Sequence, residues 1–342
     1  MPHSTAALIA GLQHKTATNT PPMEMLSSVW EYLTCLVWVP TLSPASVSAI
    51  EAQIGGLPIQ EGSATDLVAC DGRVVYCKST DDARIFAMER GCDTFRSLES
   101  SALNVQLAGI EPGSGVLHTF RWNHGKRVME LRREGSADED QQQVSVSCWT
   151  AEGLLRSKPL LAFSDGSLFV ANSVTKGSGV LTSIDIRPRA REEHEGEWFK
   201  IFAPVPSELI QAISVHACKD TTRLLCAMED SIWVADISPP DLRHGTEITW
   251  SRVVHLPQIH RVHQVIGLTD HVAIGLVSYF EDGSSSTLAL ITIDLINGDV
   301  KEVVSMKEEE SAKVFLTRNC LWMASASEEE GPLVKVVDLE WV

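Results

Sequence analysis

Four segments of the chain end in the same way. "VLTSIDI" (180–186), "SIWVADI" (231–237), "LALITIDL" (288–295) and "LVKVVDL" (333–339) are alternating apolar runs that close on a hydrophobe, an aspartate, then Ile or Leu. The aspartates are Asp185, Asp236, Asp294 and Asp338, spaced 51, 58 and 44 residues apart. A second phrase keeps the same period: Trp198 opens "WFKIFAPVP" and Trp250 opens "WSRVVHLP", 52 residues later. Repetition at this spacing marks a supersecondary unit. One unit cannot bury its apolar faces alone and has to stack on its neighbours.

The unit is read from two neighbouring copies. One holds Leu209–Ala217, Arg223–Met228, Ser231–Ile237 and Ile248–Leu256; the next holds Arg261–Leu268, His271–Ser278, Thr287–Leu295 and Asp299–Ser305. Each is four short strands, up and down, rich in Val, Ile, Leu, Phe and Trp. The turns between such runs, "CDGR", "WNHGK", "SDGS" and "INGD", carry Gly or Asn where hairpins demand positive φ. No helix-period stretch of a dozen residues follows residue 60, which points to an all-β chain. "SLFVANSV" (167–174) reads as the second strand of its unit and "SIWVADIS" (231–238) as the third, although the two look alike.

A four-stranded antiparallel unit repeated in this way is a propeller blade. The closing strand, hydrophobe-x-hydrophobe-x-Asp-hydrophobe, resembles the third strand of a WD40 repeat. The Trp that precedes Asp in that repeat is replaced by Ile184, Ala235, Ile293 and Val337. The resemblance covers about residues 64–342 and implies a WD40-like β-propeller, a fold that mostly serves as a rigid platform for other proteins. Blades are assigned to 64–98, 103–149, 159–203, 209–256, 261–306 and 311–342. The last has three strands, so an N-terminal strand is expected to complete it and close the propeller; Tyr32–Pro40 is the best candidate. Further strands within 41–60 would raise the count from six four-stranded blades to seven. Residues 1–27, rich in Thr, Pro, Ser and Ala, are expected to form a flexible tail, and 28–342 a single domain.

Composition narrows the function classes. The net charge is −17, which disfavours direct nucleic-acid binding and docking on anionic lipid. No apolar stretch is long enough to span a membrane, and the N-terminus lacks the basic region of a signal peptide. Eight cysteines are scattered, mostly inside apolar runs, and none forms a CxxC pair. That usage fits a reducing compartment, so a cytoplasmic or nuclear protein is expected.

Candidate chemistry is sparse. His255, His260 and His263, with His271 beyond, gather in one stretch, but their spacing fits no familiar zinc site. No P-loop, dinucleotide fingerprint or nucleophile elbow occurs. No catalytic, cofactor-binding or metal residue is therefore assigned, and no cofactor is expected. The four repeat aspartates are read as structural, accepting hydrogen bonds at strand ends. Acidic runs such as "SADEDQQQ", "EEHEGE" and "SEEEG" fall in loops that a propeller collects on its rims. The expected function is a non-catalytic scaffold, a subunit of a stable multiprotein complex that binds other proteins on one rim. Trp122 is the candidate anchor. The alternative is a propeller hydrolase or lactonase with a divalent metal in its channel.

Overall fold

The computed structural model describes residues 49–53, 65–70, 73–79, 84–89, 96–101, 105–110, 117–123, 128–134, 146–149, 154–155, 159–164, 166–188, 198–218, 221–238, 247–281, 285–307, 313–327 and 331–339. Tyr32–Pro40 and the tail 1–27 lie outside them. Among the described residues the chain is all β, in six antiparallel sheets. Among the described residues, no helix is long and apolar enough to cross a membrane.

The sheets follow one another along the chain. β1 is Ala49–Gln53. The first sheet is Thr65–Cys70, Val74–Ser79, Arg84–Glu89 and Arg96–Ser101 (β2 to β5). The second is Val105–Ile110, Leu117–Asn123, Val128–Glu134 and Val146–Trp149 (β6 to β9). The third contains Leu154–Leu155, Leu160–Ser164, Ser167–Lys176, Gly179–Arg187 and Phe199–Phe202 (β10 to β14). Here β10 and β11 both pair with β12, at Thr175–Val174 and at Ala171–Ser167, and so share the place of one strand. Pro159, which has no N–H to offer a ladder, stands in the gap between them.

The fourth sheet is Ala212–Ala217, Thr222–Ala227, Ser231–Ile237 and Ser251–His255 (β15 to β18). The fifth is Arg261–Gly267, Val272–Glu281, Ser285–Asp294 and Val300–Lys307 (β19 to β22). The last is Lys313–Leu316, Cys320–Ser327 and Gly331–Asp338 (β23 to β25), with β1 added outside β25 from Ala49 opposite Val337 to Gln53 opposite Leu333. A strand from the N-terminal side thus does sit on the last sheet, but it is 49–53. It lies within 41–60, the stretch from which further strands could come. "SLFVANSV" lies on a second strand and "SIWVADI" forms a third, as their sequence patterns predict.

The core lies between sheets. Phe169, Ile184, Ile186 and Ile201 of the third sheet pack with Leu224 and Cys226 of the fourth. On its other face the fourth sheet places Leu225, Ala227 and Ile232 against Val262, Val265, Ala273 and Val277 of the fifth. Leu224 to Met228 are therefore all fully buried, with Leu224 and Leu225 on opposite faces. This is why the second strands read as continuous apolar runs: a sheet covered on both faces has no polar side. Val272 to Ser278 of β20 are buried for the same reason.

First strands meet first strands. β2 lies against β6, β6 against β11, β11 against β15, β15 against β19, β19 against β23, and β23 against β2. Polar side chains tie these pairs. Gln211, just before β15, accepts from the Val262 amide at 2.7 Å. Gln264 on β19 accepts from the Leu316 amide at 2.6 Å and donates to its carbonyl at 3.5 Å.

At the outer side, the β21–β22 turn presses on the fourth sheet. Gly298 has φ +75°, and a Cβ there would stand 2.4 Å from the Val253 carbonyl oxygen of β18. Gly177 also has positive φ, +61°, but nothing lies within 4 Å of its missing Cβ. Gly177→Ala should therefore cost only the left-handed backbone penalty, roughly 1 kcal/mol. Gly298→Ala adds a backbone clash and should cost at least about 2 kcal/mol more. Urea unfolding of the two variants measures the difference; equal losses would show that the turn does not bear on β18.

Candidate functional site

The repeat aspartates occupy third strands in four successive sheets, yet their surroundings differ. Asp185 is buried and accepts from Asn172 Nδ2 at 2.8 Å. Asp236 is exposed and holds Arg223 from both oxygens, at 2.7 and 2.8 Å. Asp294 accepts from the amides of Ile296 and Asn297 at 2.8 and 3.1 Å and so shapes the turn before Gly298. Asp338 ends β25 opposite Cys320. Trp122 lies on β7 opposite Met129.

The histidines adjacent in sequence do not converge. His255 stands 3.4 Å from Asp230, His263 bonds Ser278 Oγ at 3.0 Å, the His260 amide donates to the Ser278 carbonyl at 2.8 Å, and the His271 amide donates to Thr269 Oγ1 in its own turn. Among the described residues, the grouping of metal-ligating side chains is a different one: His216, Cys218 and Asp270.

These three come from two turns of neighbouring sheets. His216 is near the end of β15, and Cys218 follows that strand; Asp270 is in the turn from β19 to β20. His216 packs on Gly267, where a Cβ would stand 2.9 Å from the histidine's own Cβ, so only glycine leaves it room. His216 Nε2 lies 3.4 Å from Asp270 Oδ1. The Cys218 thiol faces the same carboxylate and lies 3.9 Å from the His216 carbonyl.

The turn carrying Asp270 is held from both sides. Arg223 of the fourth sheet donates to the Asp270 carbonyl, and Arg318 of the last sheet donates to that of Leu268. Inside the turn, Thr269 Oγ1 accepts from the amides of His271 and Val272. Arg223 is meanwhile paired with Asp236, which balances its charge.

Burial dominates the titration of the pair. It lowers the pKa of His216, with Arg318 pushing the same way and Asp270 opposing. Burial also raises the Cys218 thiol to about 11, helped by Asp270, so the thiol is protonated at neutral pH. No motif joins these residues: 52 positions separate Cys218 from Asp270. The one available signal is that both turns follow a first strand.

A histidine held neutral by the fold opposes protonation. The unfolded chain then binds the proton first as pH falls below the ordinary value of about 6.5, and stability declines from there through the lower folded value. His216→Gln should remove this part of the decline, so the wild-type chain should lose more stability than the variant between about pH 7 and pH 5. Asp270→Asn should lower the His216 titration further, measurable by NMR. A His216 resonance that titrates at or above the unperturbed value would overturn the assignment.

No protein-family model matches the chain, and no curated protein matches it in sequence. Solved structures do. The chain is similar to luciferin-regenerating enzyme, with TM-score 0.50 and 11% identity, over 86% of this chain and 97% of that one. It is similar to virginiamycin B lyase from Staphylococcus aureus, with TM-score 0.47 and 12% identity, over 86% and 100%. It is also similar to the WD40 domain of Toxoplasma gondii coronin, with TM-score 0.45 and 10% identity, over 84% and 72%. At such identities the likeness is one of fold, and the stacked antiparallel sheets are consistent with a β-propeller.

Proposed function

We propose that this protein is a non-catalytic interaction scaffold, a subunit of a cytoplasmic or nuclear multiprotein complex. Its six sheets stack as blades in a ring closed by β1, an arrangement supported by the contacts between successive first strands. The repeat aspartates are structural parts of that frame.

The observation that carries the reading is a patch beside the fourth sheet. Leu209 is 45% exposed in the segment leading to β15. Next to it stands Glu208, whose pKa is raised by burial and by the negative charges of Asp230 and Glu229 in the β16–β17 turn. An apolar side chain beside a cluster of three carboxylates, Glu208, Glu229 and Asp230, suits a partner segment that presents a hydrophobe among basic residues. The apolar contact would provide lifetime, and the carboxylates would steer the encounter. Trp122 is proposed as a second anchor.

The test compares complexes purified from the native cell with the wild-type chain and three variants: Leu209→Ser, Glu229→Lys with Asp230→Lys, and Trp122→Ala. Leu209→Ser should lose the partner with an unchanged melting temperature. The charge reversal should slow association and flatten its salt dependence between about 50 and 300 mM, where the Debye length falls from roughly 14 to 6 Å. Identical partner recovery and association rates for all variants would overturn the reading.

A further inference from the structure

We propose that His216, Cys218 and Asp270 bind one zinc ion, which ties the β15–β16 turn of the fourth sheet to the β19–β20 turn of the fifth. The inference is independent of the partner-binding reading.

The donor atoms all lie within 4.8 Å of one another. Two ligands on a tetrahedral zinc, each with a bond of about 2.0–2.1 Å, stand roughly 3.4 Å apart. His216 Nε2 and Asp270 Oδ1 are already at 3.4 Å. The sulfur lies within 4.8 Å of both donors, and a tetrahedral zinc with a Zn–S bond of about 2.3 Å places it at roughly 3.6 Å from each. One nitrogen, one sulfur and one oxygen form a set that suits zinc; calcium and magnesium call for oxygen alone.

The supports are rigid. His216 sits on Gly267, and the Asp270 turn is fixed by Arg223, Arg318 and Thr269. Asp236 balances Arg223, and Arg318 adds a cation near the site that limits affinity. The Asp270 side chain is 49% exposed, which gives an ion a path in. On binding, the three side chains displace all but one water of the aquo ion, the thiol proton passes to solvent, and the remaining water keeps the fourth position. Nothing is oxidised or reduced.

The experiment titrates the full-length, reduced chain with Zn²⁺ alone by calorimetry and with Co²⁺ by absorption. The wild-type chain should take up one zinc. The cobalt form should show a near-ultraviolet thiolate-to-cobalt band together with tetrahedral visible bands. Cys218→Ser should abolish the thiolate band while weaker binding persists. His216→Ala and Asp270→Asn should each weaken zinc binding by roughly 100-fold or more, at least the loss seen when an outer-shell partner of a metal site is removed. Zinc should also raise the melting temperature of the wild-type chain and not that of the triple variant. Circular dichroism confirms that each variant is folded; should one fail to fold, the thiolate band of the wild-type chain and its loss in Cys218→Ser decide the matter. Zinc uptake equal in the wild-type and triple-variant chains, or a thiolate band that survives Cys218→Ser, would overturn the proposal.

Discussion

Each sheet has to be covered on both faces, and the rest of the structure follows from that. A four-stranded sheet with apolar side chains above and below is insoluble alone and becomes stable only between two neighbours. Leu224 faces the third sheet and Leu225 the fifth, and both are fully buried. The first strands of neighbouring sheets come close together. Gly109 on β6 and Gly267 on β19 face side chains of the adjoining sheet, Phe163 and His216, so closely that an added Cβ would stand 2.9 Å from them.

Burial on this scale leaves main-chain groups at the sheet edges in need of partners, and the polar ties between sheets answer that need. Gln211, just before β15, and Gln264, within β19, each engage the main chain of the next first strand. Arg223 and Arg318 close on a single turn from opposite sides. The same ties bring side chains from different sheets together. Titratable groups therefore converge at a junction between sheets, where part of each is desolvated and its pKa moves: His216 down, Cys218 up.

Much of the frame was legible in the residues. The Asp-ended strands mark third strands in four sheets, and turns such as "SDGS" and "INGD" mark hairpins, with Gly166 and Gly298 at positive φ. The surroundings of the repeat aspartates were not legible. One meets Asn172, one Arg223, and one its own turn, because each depends on what the neighbouring strand presents. The strand that borders β25 was not legible either. Tyr32–Pro40 has the stronger β composition, while "AIEAQ" at 49–53 is a weak strand former that gains its ladder from β25. The adjacent histidines at 255–263 drew attention that belonged to His216. A strand alternates faces and a hairpin separates its arms, so nearness in sequence is a poor guide to convergence.

The sequence by itself determined the all-β class, the period of the repeat and the positions of most strands. These rest on local physics: alternation, β-branched content and the backbone freedom of turn residues. Only the tertiary structure decided which strand borders β25, which turns of neighbouring sheets touch, and that His216, Cys218 and Asp270 share one place. Those contacts join residues roughly fifty or more positions apart, and they form only when whole sheets stack to bury their faces. No local pattern in the chain encodes which polar groups that stacking brings together.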